Sequence, residues 1–305
     1  MSGFDSPTTP LSMQNIEYTT FDCPPDARFS ILVPTWNNLD YLQYCLNSIK
    51  KNSRFPHQII LHINEGSDGT REWAEQQQLD YTYTEHNAGI CYAMNAAASL
   101  ARTDYLVYIN DDMYVAPDWD LHLWEEVEQM DHMYFLLGSA LIEPGGDDNP
   151  DVITCRDFGD SPENFKEEAF IEKFMEQPFP DWNGAGGSAV LAHKKLWDLV
   201  GGYSVEFSPG FYSDADFSMK LWQAGVRYFK GVSKSRVFHF QSKSIGRISR
   251  RNDGRKQFAK KWDLTSYDFF KNYLRMATPF KGPLKEPEET LALKWARLRS
   301  RLLFL

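Results

Sequence analysis

Between Phe29 and Asn110, short apolar runs alternate with segments of helical period, which leaves few folds open to the chain. "FSILVP" (29–34) and "QIILHIN" (58–64) have the length and composition of strands buried on both faces of a parallel sheet. Between them Leu39, Leu42, Leu46 and Ile49 recur at helical spacing, with Asn37 or Asn38 placed to cap the first turn. A helix over 70–78, a strand "YTYTEH", a helix over 90–101 and a strand "YLVYIN" continue the pattern. It predicts an open α/β sheet flanked by helices, whose ligands bind beyond the carboxyl ends of the strands. Polar residues gather at those ends: Thr35, Trp36 and Asn37; Asn64 and Glu65; Asn110, Asp111 and Asp112.

Further on the order is less regular. Residues 143–181 are acidic, rich in Pro and Gly and without sustained period, and read as a long insertion over the sheet carrying one helix. A Gly-rich approach, a short strand and a helix ended by Gly201 and Gly202 follow. "FYSDADFSMKLWQAG" predicts a helix with Asp214 and Asp216 in its first turn and Phe217, Leu221 and Trp222 inward. "YFKGVSKSRVFHF" is strand-like and runs to His239. At 305 residues and 42% hydrophobic, the chain can bury a large core.

Four scattered cysteines without a CxxC pair suggest neither a zinc site nor a disulfide framework. The first residues lack the basic patch and apolar run of a signal peptide, and no stretch has the length of a membrane span, so a cytoplasmic location is expected. Charge is segregated: residues 1–240 hold 16 Lys and Arg against 36 Asp and Glu, whereas 241–305 hold 16 against 6. A basic tail on an acidic body suits anionic lipid or the body itself. Without a recognisable reading module it gives no reason to expect nucleic acid as a partner.

Adjacent carboxylates just past a buried strand, a second acidic pair at 214 and 216, and a strand-terminal histidine point to a ligand with hard-cation chemistry. Mg²⁺ or Mn²⁺ takes one or two protein carboxylates and completes its shell with phosphate oxygens and water. A metal-held diphosphate is the reading that follows.

In order, "FSILVPTWNN", "HINEGSDGT", "HNAGICYAMNAAASLARTDYLVYINDDM", "GAGGSAVLAHKKLWDLVGGYSVEFSPGFYSDADFSMKLWQAG" and "VFHF" resemble the GT-A-fold nucleotide-sugar glycosyltransferases of family 2. The resemblance covers residues 28–245. It implies a GT-A domain with a nucleotide-binding half (28–117) and an acceptor half (118–245), after a lead segment (1–27) and before a basic, mostly helical extension (246–305). The implied reaction moves a sugar from a nucleoside-diphosphate sugar to a hydroxyl of a glycan, polysaccharide or lipid-linked acceptor, with Mn²⁺ or Mg²⁺ and inversion.

Carried over position by position, the resemblance places Pro34, Thr35, Trp36 and Asn37 at the nucleotide base and ribose, where Trp36 stacks on the base or packs beneath it. Asn64 and Glu65 stand where the family has two acidic residues, one of which reads the base or ribose. Asn87 and Gly89 shape the wall near the diphosphate, and Asn95 faces the donor from the helix that follows. "NDD" replaces the family's Asp-x-Asp: Asn110 stands at the first position, Asp111 contacts the ribose or sugar or shares the ion, and Asp112 is the leading metal ligand, joined by His239. Asp214 matches the family's catalytic base, with Asp216 as rival, and Ser213 replaces the family's Glu beside it. Trp182, Gly186, Gly187 and Ser213 fall on the acceptor side. Lys243, Arg247, Arg250 or Arg251 fold over the diphosphate as a lid or form a solvated basic surface.

Two readings of other classes stay open: a sugar nucleotidyltransferase, although "VPTWNN" is not its Gly-rich phosphate loop, and a non-catalytic nucleotide-sugar or glycan-binding module. In the tail, Leu291, Trp295, Leu298, Leu302 and Leu305 form one helical stripe beside Lys294, Arg297, Arg299 and Arg301. That helix is expected to pack on its own body or a second subunit, or to lie on a membrane surface.

Overall fold

The computed structural model describes residues 15–145, 152–155, 157–185, 189–241 and 253–302. The first half contains β1 (Glu17–Thr19), β2 (Ser30–Trp36), α1 (Leu39–Asn52), β3 (Gln58–Asn64), α2 (Thr70–Gln76), β4 (Asp80–Thr84), α3 (Ile90–Ser99), β5 (Tyr105–Tyr108), β6 (Met113–Val115) and α4 (Trp119–Val127). Then come β7 (Phe135–Pro144), β8 (Val152–Cys155), α5 (Glu167–Lys173), β9 (Trp182–Asn183), β10 (Val190–His193), α6 (Lys194–Val200), α7 (Ser213–Gln223) and β11 (Tyr228–His239). The tail holds α8 (Gly254–Trp262), α9 (Ser266–Phe269) and α10 (Leu291–Leu302).

Among the described residues the strands form one mixed sheet in the order β1-β4-β3-β2-β5-β10-β7-β11-β6, with β8 on β7 and β9 on β11. β2 pairs in parallel with β3 and β5, and β3 with β4. Antiparallel β10 bridges β5 to β7, and β7 lies parallel to β11. The carboxyl ends of β2, β3, β4, β5, β7 and β11 therefore share one edge. Helices cover both faces, which is why β2 alternates between two cores: Leu32 packs with α3 and α7 residues, and Ile31 and Val33 with α1 and α4. All three are fully buried, each worth roughly 1.5–3 kcal/mol.

Several expectations need correction. α1 is not capped by Asn37 or Asn38; the Leu39 amide donates instead to Asp68 Oδ2 of the next βα loop, 2.9 Å away. The stretch 143–181 is not all insertion, because Glu143 and Pro144 end β7, the ten-residue strand that joins the two halves of the sheet. Trp182 does not offer its face to a sugar. It is 5% exposed, sits in β9 against the early part of β11, and packs on Gly231 several residues from His239. A Cβ on Gly231 would stand 1.9 Å from the Trp182 ring. Gly231→Ala is therefore expected to destabilise by about 2 kcal/mol, seen as a lowered melting temperature.

The basic tail shares the body's core. Phe258, Leu264, Phe269, Tyr273, Leu274 and Leu293 belong to the same apolar cluster as Phe217, Leu221 and Trp222 of α7. The charge balance changes past residue 240, yet the described residues from 253 on belong to the body's core. Helix α10 meets the body through Leu293, Ala296 and Ser300, so the expected Leu291–Trp295–Leu298 stripe is not its packing face.

Candidate active site

Three strand ends build the acidic centre. β5 delivers the chain into Asn110, Asp111 and Asp112; β11 pairs with β7 on one side and β6 on the other, so His239 lies beside Met113 and one position past the Ile142–Phe238 pair. Asp112 and Glu143 thereby flank one imidazole. His239 Nδ1 donates to Glu143 Oε1 at 2.6 Å, and Nε2 faces Asp112 Oδ1 at 3.4 Å. Gln241 Nε2 donates to the other Glu143 oxygen at 2.6 Å. Burial pulls the imidazole pKa down, but hydrogen bonds and charge from Asp112 and Glu143 outweigh it and raise it to about 9. Sequence alone does not single out Glu143, because "EPGG" reads as the start of a loop.

Can this pair hold a divalent ion? Neighbouring ligands at octahedral Mg²⁺ stand about 3 Å apart. The Asp112–His239 separation is close to that, and Glu143 fixes the imidazole from behind as outer-shell carboxylates do. No group of three or more acidic, His or Cys side chains able to hold a metal occurs among the described residues, so phosphate oxygens and water would have to complete the shell.

Tyr108 joins this centre to α7. Its hydroxyl donates to Asn110 Oδ1 at 2.5 Å, and its ring meets Tyr203 edge-on. Burial pushes this hydroxyl far above its ordinary range, and the charges of Asp112, Asp214 and Asp111 push the same way. One half-buried tyrosine thus feels the charge of all three carboxylates. Asp214 is partly buried at the start of α7, and burial raises its carboxyl above the usual range. Tyr41 of α1 also feels Asp112, after the larger effect of its own burial. Neither tyrosine stands out in the sequence, since both look like ordinary amphipathic core residues.

Asp216 has a different role. It is fully buried, accepts from Ser204 Oγ (2.5 Å) and Trp262 Nε1 (2.8 Å), and pairs with Lys261 Nζ at 2.9 Å. It ties α8 to α7, leaving no oxygen turned to a substrate. Ser213, expected on the acceptor side, is buried and donates to the Gly210 carbonyl.

At the nucleotide edge, Pro34, Thr35 and Trp36 end β2 opposite His62, Ile63 and Asn64. Thr35 is 2% exposed and its Oγ1 has no hydrogen-bond partner among the described residues. Asn37 (φ 44) and Glu65 (φ 63) both leave their strands in the left-handed region, a conformation uncommon for non-glycine residues, among which Asn is enriched. Asn37 Nδ2 donates to Glu65 Oε2 (3.0 Å), and its Oδ1 accepts from the Ser67 amide (2.9 Å). Asn64 is not available to a base. It is buried, its Oδ1 accepting from the Ala88 amide and Thr84 Oγ1 and its Nδ2 donating to the Thr35 carbonyl.

Asn87 accepts from the Gly89 amide two residues on, forming the turn into α3. Gly89 (φ 79) is required there, since a Cβ would stand 2.5 Å from Ser208 Oγ and 2.7 Å from Pro209 Cα. Asn95 does not face a donor: it exchanges two hydrogen bonds with the Tyr203 backbone and anchors α3 to the loop after α6. Gly186 and Gly187, with Lys243, Arg247, Arg250 and Arg251, lie outside the described residues.

Glycosyltransferase GlyG of Streptococcus pneumoniae is 24% identical over 196 residues, 62% of this chain and 63% of that protein. The O-antigen biosynthesis protein RfbC of Myxococcus xanthus is 22% identical over 92% of this chain and 21% of its own length. The chain thus spans less than two thirds of either relative. Among solved structures, GalNAc-T7 with UDP, GalNAc and Mn²⁺ superposes with a TM-score of 0.56 at 13% identity, covering 81% of this chain and 51% of that one. TarS of S. aureus gives 0.52 at 14% identity, covering 91% and 43%. The fold is therefore GT-A, as the sequence motifs implied. Residues 30–188, just over half of the chain, match the description "Glycosyl transferase family 2", and the chain belongs to that family.

Proposed function

We propose that this chain transfers a sugar from a nucleoside-diphosphate sugar to an acceptor hydroxyl, with inversion at the anomeric carbon, using Mn²⁺ or Mg²⁺. The observation that carries the reading is the meeting of Asp112, His239 and Glu143 at the carboxyl ends of β5, β11 and β7. It offers a candidate cation site, and Asp214 at the start of α7 offers a separate carboxylate whose pKa burial raises. GalNAc-T7, solved with UDP, GalNAc and Mn²⁺, supports the donor class and the metal, and the biosynthetic roles named for RfbC and for a putative teichuronic acid biosynthesis glycosyltransferase of Bacillus subtilis support a saccharide acceptor.

Asp112 and His239 would hold the ion, with Glu143 keeping Nε2 turned toward it. A divalent ion there would supply positive charge against the departing diphosphate. Asp111 orients the sugar or ribose. With Asn64 engaged, Glu65, held by Asn37, reads the base or ribose beside the end of the strand that Trp36 closes. Asp214 accepts the proton of the acceptor hydroxyl as its oxygen bonds to the anomeric carbon and the bond to diphosphate breaks. A glycan or a lipid-linked saccharide fits as acceptor class.

Incubation with a panel of nucleotide sugars and Mn²⁺ tests the proposal. Slow donor hydrolysis releasing nucleoside diphosphate is expected. Pyrophosphate-dependent release of sugar phosphate would make the chain a nucleotidyltransferase instead, and donor binding without any turnover would make it a binding module.

A further inference from the structure

Helix α10 presents two faces, and only one of them meets the protein. Leu293, Ala296 and Ser300 are 3%, 9% and 1% exposed and lie on one side. On the opposite side, half a helical turn away, Leu291, Trp295 and Leu298 are 78%, 67% and 46% exposed. Basic side chains border this apolar stripe on both flanks, Lys294 and Arg301 on one and Arg299 on the other. The helix carries no acidic residue. Arg299 and Arg301 pair with Asp268 (3.5 Å) and Asp263 (2.8 Å), yet both keep 60% of their side chains exposed.

We propose that this face docks on an anionic lipid surface, with α10 lying in the plane of the interface. Leu291, Trp295 and Leu298 enter the boundary between headgroups and acyl chains, and Lys294, Arg299 and Arg301 meet lipid phosphates. Charge selects this occupant. A twofold contact of the face with itself would set its basic flanks against each other, whereas an anionic headgroup layer complements both flanks along the whole apolar stripe. An indole at this level is favoured, its ring in the apolar boundary and its N–H at the wet side. The twelve-residue helix is too short to cross a bilayer, and among the described residues no helix is long and apolar enough to do so.

Co-sedimentation of the full chain with phosphatidylcholine vesicles, with and without phosphatidylglycerol, tests this independently of any catalytic reading. Binding to the phosphatidylglycerol vesicles, weakened by salt, is expected. Trp295→Ala with Leu298→Ser should reduce it about tenfold or more, and Lys294→Glu should reduce it without affecting any residual binding to neutral vesicles. Melting temperatures should stay at the wild-type value, because these side chains face solvent. The proposal fails if the wild-type chain ignores anionic vesicles, or if the double variant binds them equally well. It also fails if sedimentation equilibrium shows a dimer that the double variant converts to monomer, since a second copy would then be the occupant.

Discussion

Asp112→Ala is expected to abolish metal-dependent donor binding, lowering affinity for a nucleoside diphosphate in Mn²⁺ by about 100-fold or more. The reason is the small protein contribution to the site. In the proposed site Asp112 and His239, 3.4 Å apart, would bind the ion, and Asn110 Oδ1 already accepts from Tyr108. With Asp112 gone, one imidazole remains, backed by Glu143. Isothermal titration of nucleoside diphosphate with and without Mn²⁺ checks this: the wild-type chain should show a large metal-dependent gain that the variant lacks. An unchanged gain would put the ion elsewhere.

Asp214→Asn is expected to leave donor affinity intact and to slow transfer by about 10²–10⁴-fold. Burial raises the Asp214 carboxyl, so its proton-accepting form is populated only above the ordinary carboxylate range. Wild-type activity should therefore fall on acidification at a higher pH than an exposed Asp would give, and the residual activity of the variant should lack that acid limb. Asparagine also removes a buried charge, so the variant should be no less stable than the parent. Asp216→Asn should behave in the opposite way, losing stability first, because it breaks into the Lys261 and Trp262 contacts that hold α8. Retained transfer by the Asp214 variant would remove that residue from the base role.

Periodicity made β2, β3, α1, α3 and α7 legible, since each has an apolar pattern that local packing alone demands. It failed at β7, where Gly138 and Ser139 interrupt the apolar run and "EPGG" hides the strand end, and Glu143 was lost with it. Motif position put Asp112 and His239 together, and the fold sets them 3.4 Å apart. It misjudged Asn64, Asn95 and Ser213, whose side chains the fold uses to tie loops to strands and helices. Spacing cannot separate these cases, because a hydrogen bond to a distant backbone amide has no local signature.

β11 shows where the line falls. Its pairing with β7 slips between Val232 and Arg236, so that the partners of Ser139 and Ala140 are separated by three residues of β11. An odd insertion reverses the side-chain alternation, and Val232 and Val237, of opposite parity, point into the same core. In an uninterrupted strand His239 would share a face with Phe229, away from that core. The bulge, held by the Ser139–Ser235 contact and by buried Arg236 donating to Gln177, turns it to Glu143 and Asp112 instead. Residue order by itself determined the alternating sheet, its polar edge and the family. Which carboxylates share an imidazole, and which face of α10 is left to the outside, was decided only by tertiary packing, because both depend on register between segments far apart in the chain.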